Sequence, residues 1–171
     1  MNLSNYIRDV QDFPNKDVIY KDITPLLQDK QAFKAMIDTF ADYDANQKID
    51  LVLGTEARGF LLASAVAYAL GAGLVIARKP GKLPYTSIVS DEYHTEYSTD
   101  ILHIHKDSIS PNQNVLIIDD VLATGGTARA ASQLVKKSGG NVAGFAFLIE
   151  LSFINGRQNL IDAPVHSLIS Y

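Results

Sequence analysis

Short apolar runs alternate with helix-like segments through the middle and the end of the chain. Each run has the length of a buried β-strand and is bounded by glycine, proline or polar residues. The five runs are Ile49–Leu53, Leu74–Ala77, Val115–Ile118, Val142–Ile149 and Val165–Ile169. This alternation predicts one α/β domain with a central, mainly parallel sheet of about five strands and helices on both faces.

Three segments between or before these runs have helix signals. Gln31–Tyr43 repeats apolar residues at helical spacing, and Asp29 just before it is a residue type that caps helices. Gly59–Leu70 is almost wholly apolar and is followed by Gly71, which predicts a buried helix with a glycine C-cap. A third helix is predicted over Thr127–Ser138.

Charge and composition narrow the class of partner. The 171 residues carry 15 Lys and Arg against 19 Asp and Glu, a formal net charge of -4, and no cysteine. No overall basic field therefore attracts nucleic acid or an anionic membrane, and disulfides and thiolate metal sites are excluded. The polar start MNLSNYIRDVQDF is unlike a signal peptide, and the longest apolar run is too short to cross a bilayer. We expect a cytoplasmic protein that binds neither nucleic acid nor membrane.

The segment VLIIDDVLATGGT, Val115–Thr127, carries most of the chemistry. A strand delivers Asp119 and Asp120 to the carboxyl edge of the sheet, where open α/β sheets bind ligands. Both acids suit hydrogen bonds from vicinal hydroxyls, directly or through Mg²⁺. The glycine-rich loop that follows opens a helix, whose free N–H groups and positive dipole end suit a phosphate monoester. That loop consists of Ala123, Thr124, Gly125, Gly126 and Thr127.

A long polar stretch, Lys79–Lys106, interrupts the alternation of strands and helices. It opens with Lys-Pro-Gly-Lys-Leu-Pro and alternates weakly near Ile101–His105, which predicts a long loop containing a hairpin. Loops of this length in compact domains are uncommon and often serve as lids or binding loops. The stretch is therefore a functional candidate.

The segment with the two acids resembles the 5-phosphoribosyl-1-diphosphate (PRPP) signature of the type I phosphoribosyltransferases. The resemblance implies that Asp119 and Asp120 hold the ribose hydroxyls and that the glycine-rich loop wraps the 5′-phosphate. GTEARGF, Gly54–Phe60, looks like the diphosphate loop of the family, with Arg58 as the anion contact. An arginine near a helix start makes charge-assisted bonds to diphosphate oxygens, so the chemistry agrees. The cofactor implied is Mg²⁺, held mainly through PRPP and bridged by water to the two acids, with no direct side-chain ligand.

Three further segments resemble the adenine-specific members of this family, and the similarity runs over nearly the whole chain. They are RKPGKLP (Arg78–Pro84), EYSTD (Glu96–Asp100) and FPNKDVIYKDITPLL (Phe13–Leu27). The resemblance implies Mg²⁺-dependent transfer of the phosphoribosyl group of PRPP to N9 of adenine, which gives AMP and diphosphate. It also implies a homodimer, a hood over residues 1–30 and a flexible lid loop over residues 79–106.

The same resemblance assigns roles to loop and hood residues. Lys79 and Lys82 contact diphosphate, Glu96 acts as acid, base or stabiliser at the imidazole ring, and Tyr97 covers the site. The adenine contacts are Ile19, Tyr20, Lys21 and Val121. Diphosphate departure leaves an oxocarbenium-like ribose, so negative groups near the ring and positive groups on the departing oxygens favour the reaction. The catalytic residues on this basis are Arg58, Glu96, Asp119 and Asp120.

Other functions fit parts of the sequence. A PRPP-sensing regulator shares the fold, but such proteins carry a DNA-binding domain by resemblance, and the net charge of -4 and Glu96 favour an enzyme. An oxopurine phosphoribosyltransferase needs a donor, commonly a lysine, aimed at the 6-oxo group, whereas the hood segment here resembles the adenine type. A phosphoacceptor receiver domain places its aspartate pair after the first strand and lacks the TGGT loop. His103 and His105, two apart on a predicted strand, are a weak metal-binding candidate.

Overall fold

The computed structural model describes residues 1–44, 48–90, 93–94 and 99–171. The strands are β1 (Arg8–Gln11), β2 (Ile19–Asp22), β3 (Leu51–Thr55), β4 (Gly73–Ala77), β5 (Ser87–Val89), β6 (Tyr93–His94), β7 (Thr99–Asp100), β8 (His103–His105), β9 (Asn114–Leu122), β10 (Asn141–Glu150) and β11 (Val165–Ser170). The helices are α1 (Thr24–Gln28), α2 (Lys30–Asp44), α3 (Gly59–Leu70) and α4 (Gly126–Lys137). Single 3-10 turns lie at Leu3–Tyr6, Ser152–Ile154 and Gly156–Asn159.

The central sheet has five strands in the order β11-β10-β9-β3-β4, and every neighbouring pair is parallel. The predicted α/β architecture is therefore confirmed. Along the chain, β4 comes after β3 and pairs with one side of it, and β9 later pairs with the other side of β3. The carboxyl ends of β3 and β9 consequently border the crevice where open α/β sheets bind ligands.

Two apolar cores lie on opposite faces of this sheet because successive strand residues point to opposite sides. Val52, Leu116 and Leu148 pack with α1, α2 and α3 on one face. Leu53 and Ile117 pack with α4 on the other. All these side chains are almost completely buried. The parallel strands are covered on both faces, as their continuous apolar runs require.

Capping residues set the start of α2 and the end of α3, as the sequence predicts. Asp29 Oδ1 accepts hydrogen bonds from the backbone N–H groups of Gln31 and Ala32, both at 2.9 Å, which confirms it as the cap of α2. Gly71 ends α3 in the left-handed conformation, with φ at 66°. That conformation is open to glycine without a steric cost.

The strand that carries the two acids is longer than the sequence predicts. The prediction ended it at Ile118, whereas β9 continues through Asp119 and Asp120 to Leu122. Its pairing with β3 stops at Ile118, but its pairing with β10 continues to Leu122 opposite Glu150. The acids therefore lie on a strand held on one side only, and their other side borders the crevice.

Smaller antiparallel ribbons flank the sheet. β1 pairs with β2 near the start of the chain, within the segment predicted as the hood. β5 pairs with β8 and β6 with β7, so the predicted long loop contains the expected hairpin pairing. None of the helices in the described ranges is long and apolar enough to cross a lipid bilayer.

Candidate active site

A cleft of about 740 Å³ opens at the carboxyl edge of the sheet, where β3 and β9 end. It brings together residues from the hood, from the loop after β3 and from the segment that joins β9 to α4. Thirteen predicted site residues line it: Ile19, Tyr20, Lys21, Arg58, Lys79, Asp119, Asp120, Val121, Ala123, Thr124, Gly125, Gly126 and Thr127. Segments more than a hundred residues apart in sequence thus share one cavity.

Three predicted site residues are not placed in this lining. The ammonium of Lys82 forms an ion pair with Glu56, whose side chain is 8% exposed. Glu96 and Tyr97 lie outside the described residues. The roles given to these three residues stay predictions, as do the roles of the thirteen residues in the lining.

The acid pair is buried at the floor of the cleft. Burial raises the pKa of Asp119 well above its ordinary value, and the neighbouring Asp120 charge raises it further. Burial also raises the pKa of Asp120, although the Arg58 guanidinium opposes that shift. The backbone N–H of Asp120 donates to Asp119 Oδ1 at 2.9 Å. A hydrogen-bond donor or a cation that reaches buried carboxylates of this kind stabilises their charged form.

Arg58 lies at the amino end of α3, directly across from the acids. Its Nε is 2.7 Å from Asp120 Oδ2, and its guanidinium carbon lies 4.9 Å from the centre of the Tyr20 ring. The Arg58 side chain is 37% exposed, against 6% for Asp120, so the guanidinium also faces the open cleft. A single cation therefore contacts the acid pair, an aromatic ring and the cavity.

Glu56 organises the basic turn beside the cleft. It accepts a hydrogen bond from the Lys79 backbone N–H at 2.9 Å, and Arg78 Nε lies 3.4 Å from the same carboxyl oxygen. With the Lys82 ion pair, these contacts fix the start of the basic turn against the loop that carries Arg58. The peptide bond between Glu56 and Ala57 is cis.

The glycine-rich loop gives the cleft an anion-binding end. Gly125 is the N-cap residue of α4, with φ at 78° and no side-chain cap, and its carbonyl accepts the helical bond from Arg129 N–H at 2.9 Å. The first N–H groups of α4 therefore belong to a helix terminus that opens on the cleft, which suits a phosphate group. Thr124 and Thr127 add hydroxyl groups to the lining.

Aromatic residues form the hood side of the cleft. Tyr20 packs edge-to-face on Phe13 with ring centres 5.1 Å apart. Lys21 Nζ lies 2.8 Å from Asp9 Oδ1 and 3.7 Å from the centre of the Tyr171 ring. Tyr171, Phe13 and Tyr20 all line the cavity. The arrangement provides flat apolar surfaces of the kind that hold a purine.

Comparison with known proteins agrees with this geometry. The family described as phosphoribosyl transferase domain matches residues 22–166. An adenine phosphoribosyltransferase of Thermotoga neapolitana is 53% identical over 171 residues, covering 100% of both chains. The chain belongs to the adenine phosphoribosyltransferase family. The resemblance stated from the sequence is confirmed, and the chain is an enzyme, a pentosyltransferase.

Solved adenine phosphoribosyltransferases share the whole fold. The structure from Thermoanaerobacter pseudethanolicus has a TM-score of 0.95 and 46% identity, and the match covers 99% of this chain and 98% of that one. The Saccharomyces cerevisiae enzyme, complexed with an imino-altritol bisphosphate and adenine, has a TM-score of 0.91 at 36% identity, with coverage of 97% and 96%. The predicted type I phosphoribosyltransferase fold is confirmed.

The cleft offers one set of residues suited to Mg²⁺. Asp119 and Asp120 present carboxylate oxygens, the ligand type that Mg²⁺ prefers. Asp120 Oδ2 is buried and, within the described part of the chain, accepts no hydrogen bond beyond its ion pair with Arg58. The two acids therefore fit a role near Mg²⁺.

His103 and His105 share one face of β8, but within the described ranges no three His, Asp, Glu or Cys side chains form a metal-binding group.

Several residues of the site escaped the sequence analysis. Glu56 lies two positions before Arg58, and its charge opposite to the Arg78–Lys82 cluster was an available signal. Phe13 stood inside a quoted segment without an assigned role. Tyr171 and Phe153 also line the cleft, but nothing in their own sequence surroundings points to a ligand.

Proposed function

We propose that this chain transfers the 5-phosphoribosyl group of PRPP to N9 of adenine with Mg²⁺, giving AMP and diphosphate in purine salvage. Membership of the adenine phosphoribosyltransferase family and the adenine complex of the Saccharomyces cerevisiae relative support this reaction. In it, the bond between C1′ and the diphosphate oxygen breaks, the N9–C1′ bond forms, and the N9 proton leaves.

One observation carries the proposal: a buried acid pair faces an arginine across a cleft that ends at a helix terminus. The carboxylates of Asp119 and Asp120 hold the ribose hydroxyls and stabilise positive charge that develops on the ring. Arg58 and Lys79 bind the departing diphosphate. When substrate enters, Arg58 exchanges its pairing with Asp120 for diphosphate oxygens, and the ribose hydroxyls donate to the acids.

The two ends of the cleft bind the two ends of the product. The N–H groups of the loop from Ala123 to Thr127 bind the 5′-phosphate. At the other end, the Tyr20 ring covers one face of adenine and Val121 packs on the opposite face. Backbone groups of Ile19 and Lys21 meet the purine edge, where hydrogen bonds distinguish adenine from oxopurines.

Asp119 and Asp120 would hold Mg²⁺ through water, together with the oxygens of PRPP. The bound ion would supply positive charge that offsets the charge of the diphosphate leaving group. The chain's own contribution is to place Arg58 and Lys79 on the same leaving group, so that most of the charge stabilisation is organised before reaction.

Residues 79–106 close over the bound substrates in this proposal. Glu96 acts on the N9 proton or stabilises the imidazole ring, Tyr97 covers the site, and Lys82 joins Lys79 on diphosphate. For Lys82 this requires exchange of its ion pair with Glu56 for the ligand. Closure excludes water, which otherwise captures the ribose cation.

We further propose that the enzyme acts as a cytoplasmic homodimer. Leu61 and Tyr68 on the outer face of α3 and Leu74 on the edge strand β4 are large exposed apolar residues, with Tyr68 90% exposed. A second copy of the chain would bury such a patch. Sedimentation of the protein and of Tyr68→Asp tests this, with a shift of the variant toward monomer expected.

The decisive experiment for the reaction is product analysis with PRPP, Mg²⁺ and, in separate reactions, adenine, hypoxanthine or guanine. We expect AMP from adenine and no nucleotide from the other bases. Asp120→Asn is the matched control, because it keeps the shape of the side chain and removes its charge. Binding of PRPP without product from any base would reject the enzyme and favour a PRPP-sensing protein.

A further inference from the structure

The segment that follows β10 packs directly behind the glycine-rich loop. At Gly125, an added Cβ would lie 2.6 Å from the Gly156 carbonyl oxygen and 3.5 Å from the Asn159 Cβ. At Gly156, an added Cβ would overlap the Ala123 carbonyl oxygen and lie 2.8 Å from the carbonyl carbon of Thr124. Two backbones therefore touch without intervening side chains.

A side-chain hydrogen bond joins the same two segments. Asn159 Nδ2 donates to the Thr124 carbonyl oxygen at 2.8 Å. Thr124 precedes Gly125, whose left-handed φ of 78° begins α4. The amide of Asn159 therefore holds the peptide that aims the first N–H groups of the helix at the cleft.

The segment behind the loop is itself anchored to the sheet. Arg157 Nε donates to Glu150 Oε1 at 2.9 Å, and its Nη1 donates to the Val165 carbonyl at 2.7 Å. Glu150 ends β10 and Val165 begins β11, so the guanidinium joins the 3-10 turn Gly156–Asn159 to two strands. The turn is a fixed support rather than a free loop.

We propose that Asn159 and Gly156 are positioning residues that set the affinity of the glycine-rich loop for the 5′-phosphate of PRPP and AMP. This inference rests on the proposed function, which places the phosphate at that loop. The two residues act on the ligand through Ala123 and Thr124. Their contribution is specific for the phosphate end and leaves the adenine end unchanged.

The test compares the affinities of AMP and adenosine, which differ only in the phosphate group, by calorimetry. Asn159→Ala removes the donor, and Asn159→Leu removes it while keeping the bulk beside Gly125. In both variants the affinity for AMP should fall about fivefold to tenfold, which is the effect of losing one hydrogen bond. The affinity for adenosine should not change. Gln158→Ala, at an exposed position of the same turn, is the matched control and should not change either affinity.

Steady-state kinetics give a second readout that general destabilisation does not produce. The KM for PRPP should rise in both Asn159 variants while the KM for adenine stays constant. Gly156→Ala should raise the KM for PRPP more, because its Cβ displaces Ala123. If the ratio of AMP affinity to adenosine affinity is the same in the parent and in both folded Asn159 variants, the inference is wrong. If the parent protein itself does not prefer AMP over adenosine, the proposed phosphate site is wrong instead.

Discussion

The pair formed by Arg58 and Asp120 gives a quantitative test of the site's electrostatics. Two unit charges 2.7 Å apart attract by about 6 kcal/mol at an effective dielectric constant of about 20. Because the guanidinium is 37% exposed, solvent screening reduces this to about 2–3 kcal/mol. We therefore predict that Arg58→Met lowers the free energy of unfolding by about that amount at pH 8.

The loss of stability in Arg58→Met should increase as pH rises. Burial raises the pKa of Asp120 above its ordinary value, and Arg58 opposes the shift. Removing Arg58 raises the pKa further, so the native variant binds more protons than its unfolded chain. Its stability must therefore fall as pH rises above the unfolded pKa of about 4 toward the folded value. The difference from the parent is small near pH 4 and grows toward pH 8.

Urea unfolding of the parent, Arg58→Met, Asp120→Asn and the double variant, at pH 5 and pH 8, measures the coupling. The cycle separates the ion pair from the contact of Arg58 with the Tyr20 ring, which contributes about 0.5–1 kcal/mol. A coupling below about 0.5 kcal/mol at pH 8, or an equal loss at both pH values, would refute the reasoning.

Three further predictions concern the surroundings of the site. Although burial acts to raise the pKa of Glu56, hydrogen bonds from Lys82 and the Lys79 N–H lower it. Glu56→Gln should therefore cost about 1–2 kcal/mol of stability at pH 7, and the difference from the parent in urea should shrink as pH falls through the lowered folded pKa of Glu56. Gly59→Ala places a Cβ 2.9 Å from Asp119 Oδ1, so we expect a loss of about 1–3 kcal/mol together with reduced turnover in the AMP assay. Asp29→Ala removes a helix cap that is not part of the cleft lining, and it should cost about 1 kcal/mol in urea unfolding with unchanged turnover; altered turnover would contradict that separation.

Local signals account for the parts of the fold that the sequence predicts well. The end of α3 depends on Gly71 and the start of α2 on Asp29, and both act within a few residues of their own position. The parallel sheet follows from apolar runs that are buried on both faces. The end of β9 was predicted too early because it depends on pairing with β10, which the acids themselves do not reveal.

The residues of the candidate site also fall into two groups, those that a local sequence pattern predicts and those that depend on distant contacts. The loop Ala123–Thr127 and the acids before it form one continuous motif, so their shared place in the cleft follows from the sequence. Glu56 was missed because its partner Lys82 lies 26 positions later, so its opposite charge indicates the pairing only once the two segments are known to meet. Tyr171 was missed because its contact with Lys21 depends on the folded position of the hood.

The neighbouring positions of β3 and β9 in the sheet also bear on how the enzyme becomes active during folding. Arg58 follows one strand and the acids lie on the other. The two strands pair directly, and Asp50, just before β3, accepts a hydrogen bond from the Asn114 N–H, 64 positions away. Contacts this distant in sequence form slowly because a long loop must close first. Neither half of the chain alone contains a complete site, so recovery of catalysis after dilution from denaturant reports the closing of the central strand pair.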